Sequence, residues 1–266
     1  MPELAELRLT ADYINAVASG QSFTHTEKNR EHKGKPLPPL AGPFTITAQS
    51  RGKELMLNLT QADGGVTKVL MGMGMAGHFQ WAGVGQPLPK HAHLLFVSEH
   101  GALCFVDVRR FGKWKVASDW SPNRGPDPTT DWEAFVAGVK KAAAGRKGKV
   151  PIHLALMDQS IFSGVGNYLR AEILYRMPDL SPFAPLSEAV KQPELFQLCK
   201  SVPLTAYKLG GGQLRDWKSP TGEDPRHFSE FIKCYGRTIG FRDKGGRTFW
   251  IHPKWHNEAQ QYFNGG

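Results

Sequence analysis

The chain has 266 residues, of which 40% are hydrophobic and 21% charged, and its formal net charge is +9. This composition excludes a disordered chain, and three widely spaced cysteines exclude a disulfide framework. No apolar run approaches the ~20 residues of a membrane span, and the acidic amino terminus lacks the features of a secretory signal, so we expect a soluble protein with no membrane partner. The positive charge makes nucleic acid a candidate partner, but it also fits ordinary solubility.

The first predicted element is a short helix at the amino terminus. Leu4, Leu7 and Leu9 supply its apolar positions, and Pro2 lies where a helix start tolerates proline. Between about 20 and 117, β-branched and aromatic runs alternate with Gly, Pro and Asp. Such runs predict short strands that pair as an antiparallel sandwich.

A change in composition then divides the chain. Residues 118–130 carry three prolines and predict a linker between an N-terminal domain, 1–117, and a C-terminal domain, 131–266. Strands followed by helices favour the α+β class. A cleft between two domains is a usual place for chemistry.

Helices are predicted after the linker. Thr130 and Glu133 form a capping-box pattern ahead of a helix that ends at Gly145. Further helices are expected over 151–160 and from about Asn167.

The last part of the chain contains more sequence breaks. One or two helices are expected over about 186–209, with breaks near Pro193 and Pro203. Residues 210–227 are rich in Gly, Pro and polar side chains and predict a long loop. The segments TIGFR and RTFWI flank DKGG, so we expect the chain to end in a β-hairpin.

Positive charge is concentrated in this hairpin region. Residues 231–256 contain a single acid, Asp243, and aromatic side chains interleave with the basic ones, which suits base stacking together with phosphate contact. The basic residues are Lys233, Arg237, Arg242, Lys244, Arg247 and Lys254.

Pro2 offers the most specific chemistry in the sequence. Removal of Met1 would leave a secondary amine, and an α-amine has a pKa near ~8, so a useful fraction is unprotonated at neutral pH. Such an amine can attack a sugar C1′ to give a Schiff base, which permits strand scission. Glu3 would then donate a proton and Glu6 would orient the site. Without this chemistry, the three residues fit an ordinary helix start.

Seven sequence blocks resemble a known family when they are taken in order. They are PELAEL, RGKELML, GMGMAGHFQW, KHAH, DVRRFGKW, LMDQSIFSGVGNYLRAEILYR and CYGRTIGFRDKGGRTFWI. From residue 2 to about residue 251 they resemble the formamidopyrimidine-DNA glycosylase/endonuclease VIII (Fpg/Nei) family. The resemblance implies a bifunctional DNA glycosylase and AP lyase of base excision repair. It also implies a β-sandwich domain, a helix–two-turn–helix element and a C-terminal finger.

The resemblance assigns catalytic positions near the amino terminus. Pro2 matches the Schiff-base nucleophile, and Glu3 matches the proton donor. Lys53 in RGKEL matches the hairpin lysine that assists β-elimination as a general acid. Glu6 matches the second glutamate of the family's PEGPE start, in which Leu4–Ala5 stands in place of Gly-Pro.

The resemblance also assigns DNA contacts. Met75, Arg109 and Phe111 match the trio that fills the space left by an extruded base. Taken alone, Met75 also fits a core methionine and Arg109 a charge at a strand end. His91 and Lys149 lie in blocks that contact phosphates.

The remaining assignments lie in the C-terminal part. Asn167 matches the phosphate-contacting asparagine of the helix–two-turn–helix element, although it also fits an ordinary N-cap. Arg247 matches the finger arginine that reaches a phosphate near the lesion and assists δ-elimination. Lys233 matches a base-reading position and fits a phosphate contact equally well.

The cysteine pattern predicts no metal and no cofactor. Many family members end in a zinc finger with two CxxC pairs, whereas Cys234 stands alone in this hairpin region, with His252 and His256 nearby. The region resembles the zincless finger of the endonuclease VIII-like 1 branch, which implies a hairpin held by sheet pairing and packing.

This branch implies particular substrates and partners. Oxidised pyrimidines and formamidopyrimidines in duplex or bubble DNA are expected ahead of 8-oxoguanine, for a monomer in the nucleus of a eukaryote or the cytoplasm of a bacterium. Two alternatives stay open: a DNA-binding protein without catalysis, and an 8-oxoguanine enzyme of the same fold. Nicking of an abasic-site oligonucleotide distinguishes a lyase from a DNA-binding protein, which would retard the oligonucleotide intact. A paired substrate panel distinguishes the expected enzyme from an 8-oxoguanine enzyme.

Overall fold

The structure, a computed structural model, describes residues 2–40, 42–212, 225–243 and 246–264. None of the helices in these ranges is long and apolar enough to cross a membrane.

The chain divides into two compact units. The first comprises Met1–Pro122 and Gly210–Pro225, and the second comprises Asn123–Leu209 and Arg226–Gly266. The division after Pro122 falls within the predicted linker, but Gly210–Pro225 belongs with the first unit rather than with the predicted C-terminal domain.

The first unit begins with helix α1, Leu4–Ala18, whose N-cap is Glu3. The side-chain amide of Asn15 accepts from the Ala48 N–H at 2.7 Å and donates to the Ala48 carbonyl at 2.9 Å. These two bonds fix the helix against the strand that contains Ala48. The predicted N-terminal helix is therefore confirmed, and it packs on the sheet that follows it.

Eight strands form one antiparallel sheet in the described part of the first unit. They are β1 Phe23–Lys28, β2 Phe44–Arg51, β3 Glu54–Gln61, β4 Val66–Gly72, β5 His78–Gly83, β6 Ala92–Ser98, β7 Gly101–Val106 and β8 Lys113–Val116. Their order is β5-β7-β6-β1-β2-β3-β4-β8. With the helices described below, this sheet confirms the α+β class.

The sheet has two halves that share one core. Strands β1 and β2 are joined by a single registered pair, Phe23 and Phe44, whose rings stack 5.8 Å apart. Phe105 on β7 and Trp114 on β8 lie in different halves of the strand order, yet their rings are 5.9 Å apart. The sheet therefore folds over at the β1–β2 junction, and both halves contribute to the same hydrophobic core.

Most of the remaining elements lie in the second unit. The helices are α2 Trp132–Ala144, α3 Ile152–Ala155, α4 Asn167–Tyr175, α5 Leu186–Ala189, α6 Pro193–Lys208, α7 Pro225–Phe231 and α8 His256–Asn264. Short 3-10 turns occur at Arg146–Lys149 and Pro253–Trp255, and a hairpin is formed by β9 Ile239–Arg242 and β10 Thr248–Ile251.

The start of α2 differs from the prediction. The helix ends before Gly145 as expected, but its N-cap is Asp131, which forms no side-chain cap bond. The capping box predicted for Thr130 and Glu133 is therefore wrong. The helix still forms because one face is buried, and packing of that face stabilises helices more than caps do.

Two other helix predictions need correction. The helix expected over 151–160 is only the single turn α3, since the Asp158 side chain binds the Ser160 N–H at 3.0 Å and Oγ at 2.6 Å and so stabilises a turn. Helix α6 continues through Pro203, where a break was expected. Pro203 is buried, so packing compensates for the missing N–H.

The chain continues beyond the predicted terminal hairpin. Strands β9 and β10 are present, but helix α8 follows them, and Phe263 of α8 stacks on Phe241 of β9 at 5.4 Å. Of the loop predicted over 210–227, residues 213–224 lie outside the described residues. Helix α7 begins within the last residues of that predicted loop, at Pro225.

A buried histidine lies at the centre of the aromatic packing around the hairpin. The ring of His153, on α3, stacks on Phe249 of β10 at 4.9 Å and meets Tyr262 of α8 at 5.4 Å. In its neutral form, the ring donates from Nδ1 to the Pro182 carbonyl at 2.9 Å. Burial lowers the pKa of His153 to about 4, and the positive charge of Arg170 acts in the same direction. The ring is therefore neutral at physiological pH.

We expect the free energy of unfolding to fall when the pH is lowered from 7 to 5. The unfolded histidine binds a proton below ~6.5, whereas the folded ring stays neutral until about pH 4, so the folded state loses about 2 kcal/mol over this interval. Urea unfolding followed by circular dichroism measures the change. His153→Phe keeps the stacking and should remove this part of the pH dependence. An equal pH difference in the variant and the wild type would contradict the assignment.

Candidate active site and nucleic-acid interface

The first turn of α1 gathers three of the predicted catalytic residues. Pro2 is buried and directly precedes Glu3. The Glu3 N–H donates to Oε2 of Glu6 at 2.8 Å, and Oε1 of Glu6 accepts from the Gly212 N–H at 2.9 Å. Both glutamates are buried. Glu6 therefore fixes the Glu3 backbone, to which Pro2 is directly bonded.

The segment after α6 lies against this helix start. Gly211 has a φ of +70°, and a Cβ at this position would lie 2.8 Å from Cδ1 of Leu9 and 3.2 Å from Oε1 of Glu6. Glycine satisfies both the left-handed backbone and the close approach. Sequence reasoning predicted only a loop here, although the run of three glycines at 210–212 was a signal for close backbone packing.

Lys53 lies at the tip of the β2–β3 hairpin. Arg51 pairs with Glu54, which leaves Gly52 and Lys53 as a two-residue loop. Gly52 has a φ of 56°, as expected for the first central residue of a type II′ turn. The lysine is half-buried. A tight turn between two long strands thus gives Lys53 a well-defined backbone position.

Two loops of the first unit bring the predicted void-filling trio together. Met75 lies in the turn between β4 and β5, and Arg109 and Phe111 lie between β7 and β8. A Cβ at Gly74 would lie 2.7 Å from the carbonyl carbon of Phe111, so the loops touch through their backbones. The Arg109 guanidinium lies 5.3 Å from the centre of the Phe111 ring, which is 54% exposed. An exposed aromatic ring beside a cation suits contact with DNA bases.

A buried carboxylate shapes the loop that carries Arg109 and Phe111. Oδ1 of Asp107 accepts from the Arg109 N–H at 3.1 Å, and Oδ2 accepts from the Gly112 N–H at 2.7 Å. Sequence reasoning gave Asp107 no role. Its signal was the position of an aspartate at the start of a glycine-bearing loop, where its side chain can bind backbone N–H groups.

His91, a predicted phosphate contact, borders the same loop. Its carbonyl accepts from the Asp107 N–H at 3.1 Å, and its ring lies 6.5 Å from that of His93. Buried His32 packs against His93 at 4.9 Å and stacks on Trp114 at 4.4 Å. Burial lowers the pKa of His32, and His93 acts in the same direction. His91 is thus the half-buried member of a histidine cluster next to the loop.

In the second unit, the side chain of Asn167 connects a helix to the hairpin. Gly166 is the N-cap of α4 and Asn167 is its first helical residue, so Asn167 is not an ordinary N-cap. Its Nδ2 donates to the Thr248 carbonyl at 2.9 Å, and its Oδ1 accepts from Nη2 of Arg170.

Arg247 is exposed at the end of the hairpin turn. Its N–H donates to Oδ1 of Asp243 at 2.9 Å, and the Asp243 N–H donates to the Arg247 carbonyl at 2.9 Å. This reciprocal pair closes the turn and sets the direction in which Arg247 leaves the backbone. Residues 244–245 lie outside the described residues.

A second buried carboxylate holds the segment that precedes the β9–β10 hairpin. Oε1 of Glu172 accepts from the N–H groups of Cys234 at 2.8 Å and Tyr235 at 2.9 Å. Oε2 accepts from the Lys233 N–H at 3.0 Å and from Nη1 of Arg176 at 2.5 Å. The Lys233 side chain is left exposed. Glu172 lies on the helix that the sequence predicts from about Asn167, but the sequence does not reveal these partners.

The site residues predicted from the sequence are divided between the two units. The first unit contains Pro2, Glu3, Glu6, Lys53, Met75, His91, Arg109 and Phe111, and the second contains Lys149, Asn167, Lys233 and Arg247. Lys149 is exposed at the end of the 3-10 turn after α2. Arg109, Phe111, Lys149, Lys233 and Arg247 are exposed, whereas Pro2, Glu3 and Glu6 are buried.

Cys234 is the cysteine of the hairpin region. Within the described ranges, no group of three His, Cys, Asp or Glu is arranged to hold a metal ion. Cys234 is buried, and burial raises the pKa of its thiol to about 12. Absence of metal remains a prediction for the complete chain.

Comparison with known proteins relates this chain to DNA glycosylases. Residues 1–114 match the family described as formamidopyrimidine-DNA glycosylase N-terminal domain. Endonuclease 8-like 1 of Homo sapiens is 34% identical over 285 residues, which cover 94% of this chain and 72% of that protein. The formamidopyrimidine-DNA glycosylase of Paracoccus denitrificans is 32% identical over 260 residues and covers 89% of each chain.

Solved structures have the same fold. MutM (Fpg) of Thermus thermophilus has a TM-score of 0.77 at 27% identity and covers 95% of this chain and 97% of that one. Fpg of Lactococcus lactis, in a complex with DNA that contains an oxidised pyrimidine, has a TM-score of 0.75 at 22% identity. That alignment covers 95% of this chain and 98% of the Lactococcus chain, and it concerns the fold alone.

Proposed function

Because this chain belongs to the Fpg/Nei family of DNA glycosylases and AP lyases, we propose that it excises oxidised pyrimidines and formamidopyrimidines in base excision repair through a Schiff base on Pro2. Strand opening follows by β- and then δ-elimination. The observation that carries the proposal is the buried start of α1, where Glu6 holds the Glu3 backbone next to Pro2. DNA binding alone does not require an amine and a carboxyl fixed side by side at a helix start.

The nucleophile requires removal of Met1. With Met1 attached, the nitrogen of Pro2 belongs to an amide, and its lone pair is delocalised into the carbonyl. After removal it is a secondary amine that attacks C1′ of the damaged nucleotide. The bond from C1′ to the base breaks, and the base leaves with a proton from the Glu3 carboxyl. Glu6 acts as a positioning residue, since its carboxylate accepts from the backbone N–H groups of Glu3 and Gly212.

The attached amine loses its proton, and the C1′–O4′ bond breaks as O4′ takes a proton, so that the opened sugar is joined to Pro2 as an iminium. Strand cleavage follows from this iminium. The positive nitrogen makes a C2′ hydrogen acidic, and its removal expels the 3′ phosphate in β-elimination. A second elimination expels the 5′ phosphate. Lys53 assists the first elimination as a general acid, and Arg247 stabilises the phosphate that leaves in the second.

The void-filling trio supports base extrusion. A flipped nucleotide leaves an unstacked gap, and an inserted side chain recovers part of the lost stacking energy. Phe111 is exposed and lies beside the Arg109 guanidinium, while the turn bearing Met75 touches the same loop. We assign insertion to these residues and a flanking phosphate contact to His91.

The second unit supplies the proposed contacts to the DNA backbone. We assign the region of α2–α6 as the helix–two-turn–helix element and the β9–β10 hairpin as a zincless finger. Asn167 and Lys149 contact phosphates from the first, and Lys233 and Arg247 contact the damaged nucleotide from the second. Exposure of the three cationic side chains supports this role.

A panel of damaged duplexes reduced with borohydride tests the function. The duplexes contain thymine glycol, a 5-hydroxypyrimidine, a formamidopyrimidine, 8-oxoguanine or an abasic site, with undamaged DNA as the control. We expect a covalent adduct and strand ends with phosphates on both sides of the gap for the pyrimidine, formamidopyrimidine and abasic substrates. Retardation of abasic DNA without an adduct or a nick would identify a DNA-binding protein. Preferential cleavage of 8-oxoguanine would overturn the substrate assignment.

A further inference from the structure

Arg170 takes no part in the function proposed above, yet it is fully buried in the second unit. Arginine is rarely buried to this extent unless its charge is paired and its N–H groups find acceptors. A fully buried guanidinium therefore calls for a specific explanation. Its partners supply one, because they include Asn167, a proposed phosphate contact, and Asp243, which binds the backbone of Arg247.

One end of the Arg170 guanidinium orients Asn167. Nη2 donates to Oδ1 of Asn167, and Nδ2 of Asn167 donates to the Thr248 carbonyl. A half-turn of the Asn167 side-chain amide would exchange the positions of its oxygen and its NH₂ group. The NH₂ group would then face the guanidinium, which is itself a donor, so this rotation is unfavourable. The NH₂ group is therefore held in one direction, with a second hydrogen that does not bind Thr248.

The same guanidinium reaches the turn that carries Arg247. Nη1 lies 3.9 Å from Oδ2 of Asp243, whose other carboxylate oxygen accepts from the Arg247 N–H at 2.9 Å. Nη1 also donates to the His153 carbonyl at 3.3 Å, and the guanidinium lies 4.5 Å from the centre of the Phe249 ring. From its own helix α4, Arg170 thus contacts both helix α3 and the hairpin.

We propose that Arg170 is a positioning residue that couples Asn167 to the Arg247 turn, so that both present their phosphate-binding groups in one fixed arrangement. The coupling passes from Asn167 Oδ1 through the guanidinium to the Asp243 carboxylate and from there to the Arg247 N–H. The proposal rests on the proposed function, because it assumes that Asn167 and Arg247 contact DNA. It adds a determinant of backbone recognition that is itself too deeply buried to reach a phosphate.

The salt dependence of DNA binding tests this coupling. Loss of one phosphate contact lowers the slope of log K against log salt concentration by about one. Binding to a duplex with a stable abasic-site analogue is measured for the wild type, Arg247→Ala, Arg170→Lys and the double variant. Arg170→Lys keeps the charge but loses the planar fork that spans Asn167 and Asp243. We expect each single variant to lower the slope by about one and the double variant to lower it no further.

The products of strand cleavage give a second readout. If the Arg247 turn is misplaced, Arg170→Lys should shift cleavage from δ- toward β-elimination products by about the same fold as Arg247→Ala. A protein whose cleavage stops at β-elimination in the wild type would refute the proposed δ-step. The salt slopes do not depend on catalysis, so they test the coupling separately.

Matched variants separate positioning from general stability. Ile173→Ala removes a fully buried apolar side chain from the same helix, and it should lower the melting temperature while leaving the salt slope unchanged. If Arg170→Lys does not fold, Asp243→Asn removes the charge at the other end of the link and is expected to reproduce the slope change. A wild-type slope in whichever of these two variants is folded would overturn the coupling.

Discussion

A chain with an uncleaved peptide before Pro2 is expected to lose base excision and strand cleavage by roughly 10³-fold or more, while it still binds damaged DNA. The peptide converts the proline nitrogen into an amide, which has no free lone pair for attack on C1′. No borohydride adduct should form. Single-turnover cleavage of an abasic duplex and of a thymine glycol duplex measures the loss, and gel retardation measures the binding.

The matched control carries the same peptide at the carboxyl terminus. Intact-mass measurement should show that this control begins at Pro2, and its adduct yield should equal that of the untagged chain. Pro2→Gly is a weaker test, because an N-terminal glycine is still an amine and should still be trapped. Equal adduct yields from the amino-terminally and carboxy-terminally extended chains would show that another amine, such as Lys53, is the nucleophile.

Local sequence signals predicted much of the fold. Leucine spacing predicted α1, and β-branched and aromatic runs broken by Gly, Pro and Asp predicted short strands between about 20 and 117. These elements depend on contacts between near neighbours in sequence, so a local pattern contains the necessary information. The DKGG turn of the hairpin belongs to the same class.

Other features depended on partners far away in the chain. Glu6 binds the N–H of Gly212, and Glu172 binds N–H groups from 233–235. A glutamate near a helix start fits a simple interaction with the helix dipole, so nothing in the local sequence reveals such a partner. The break predicted near Pro203 was wrong for a related reason, because Pro203 is buried and packing keeps α6 intact.

In both units, a buried carboxylate holds the backbone of a segment that is proposed to face DNA. Asp107 holds the loop of Arg109 and Phe111 through backbone N–H groups, and Glu172 does the same for the start of the finger. In each case a buried carboxylate fixes the backbone, and exposed side chains are left to contact the ligand. Charge-assisted bonds to N–H groups are strong in a buried environment.

In the second unit, this carboxylate and aromatic packing hold the backbone on the two sides of β9. Here Glu172 anchors the segment before β9, and the stack of Phe241 on Phe263 attaches β9 to α8. The hairpin is therefore fixed by one buried carboxylate and by aromatic packing.

Glu172→Ala is accordingly expected to destabilise the second unit by about 3–5 kcal/mol. The substitution leaves the N–H groups of residues 233–235 without their acceptor and leaves Arg176 without its buried counter-charge. Glu172→Gln keeps one acceptor but brings an NH₂ group toward N–H donors, so its loss should be intermediate. Urea unfolding followed by circular dichroism gives both values.

The matched control is a second helical glutamate that lies at the surface. Glu188 forms an exposed pair with Lys191 at 2.8 Å, and Glu188→Ala should change the free energy of unfolding by less than about 1 kcal/mol. Both substitutions remove one carboxylate from a helix. A difference between their effects on the free energy of unfolding therefore comes from the burial and backbone contacts of Glu172 and not from the loss of charge alone. If Glu172→Ala were no more destabilising than Glu188→Ala, the carboxylate would not anchor the finger, and aromatic packing alone would have to hold the hairpin in place.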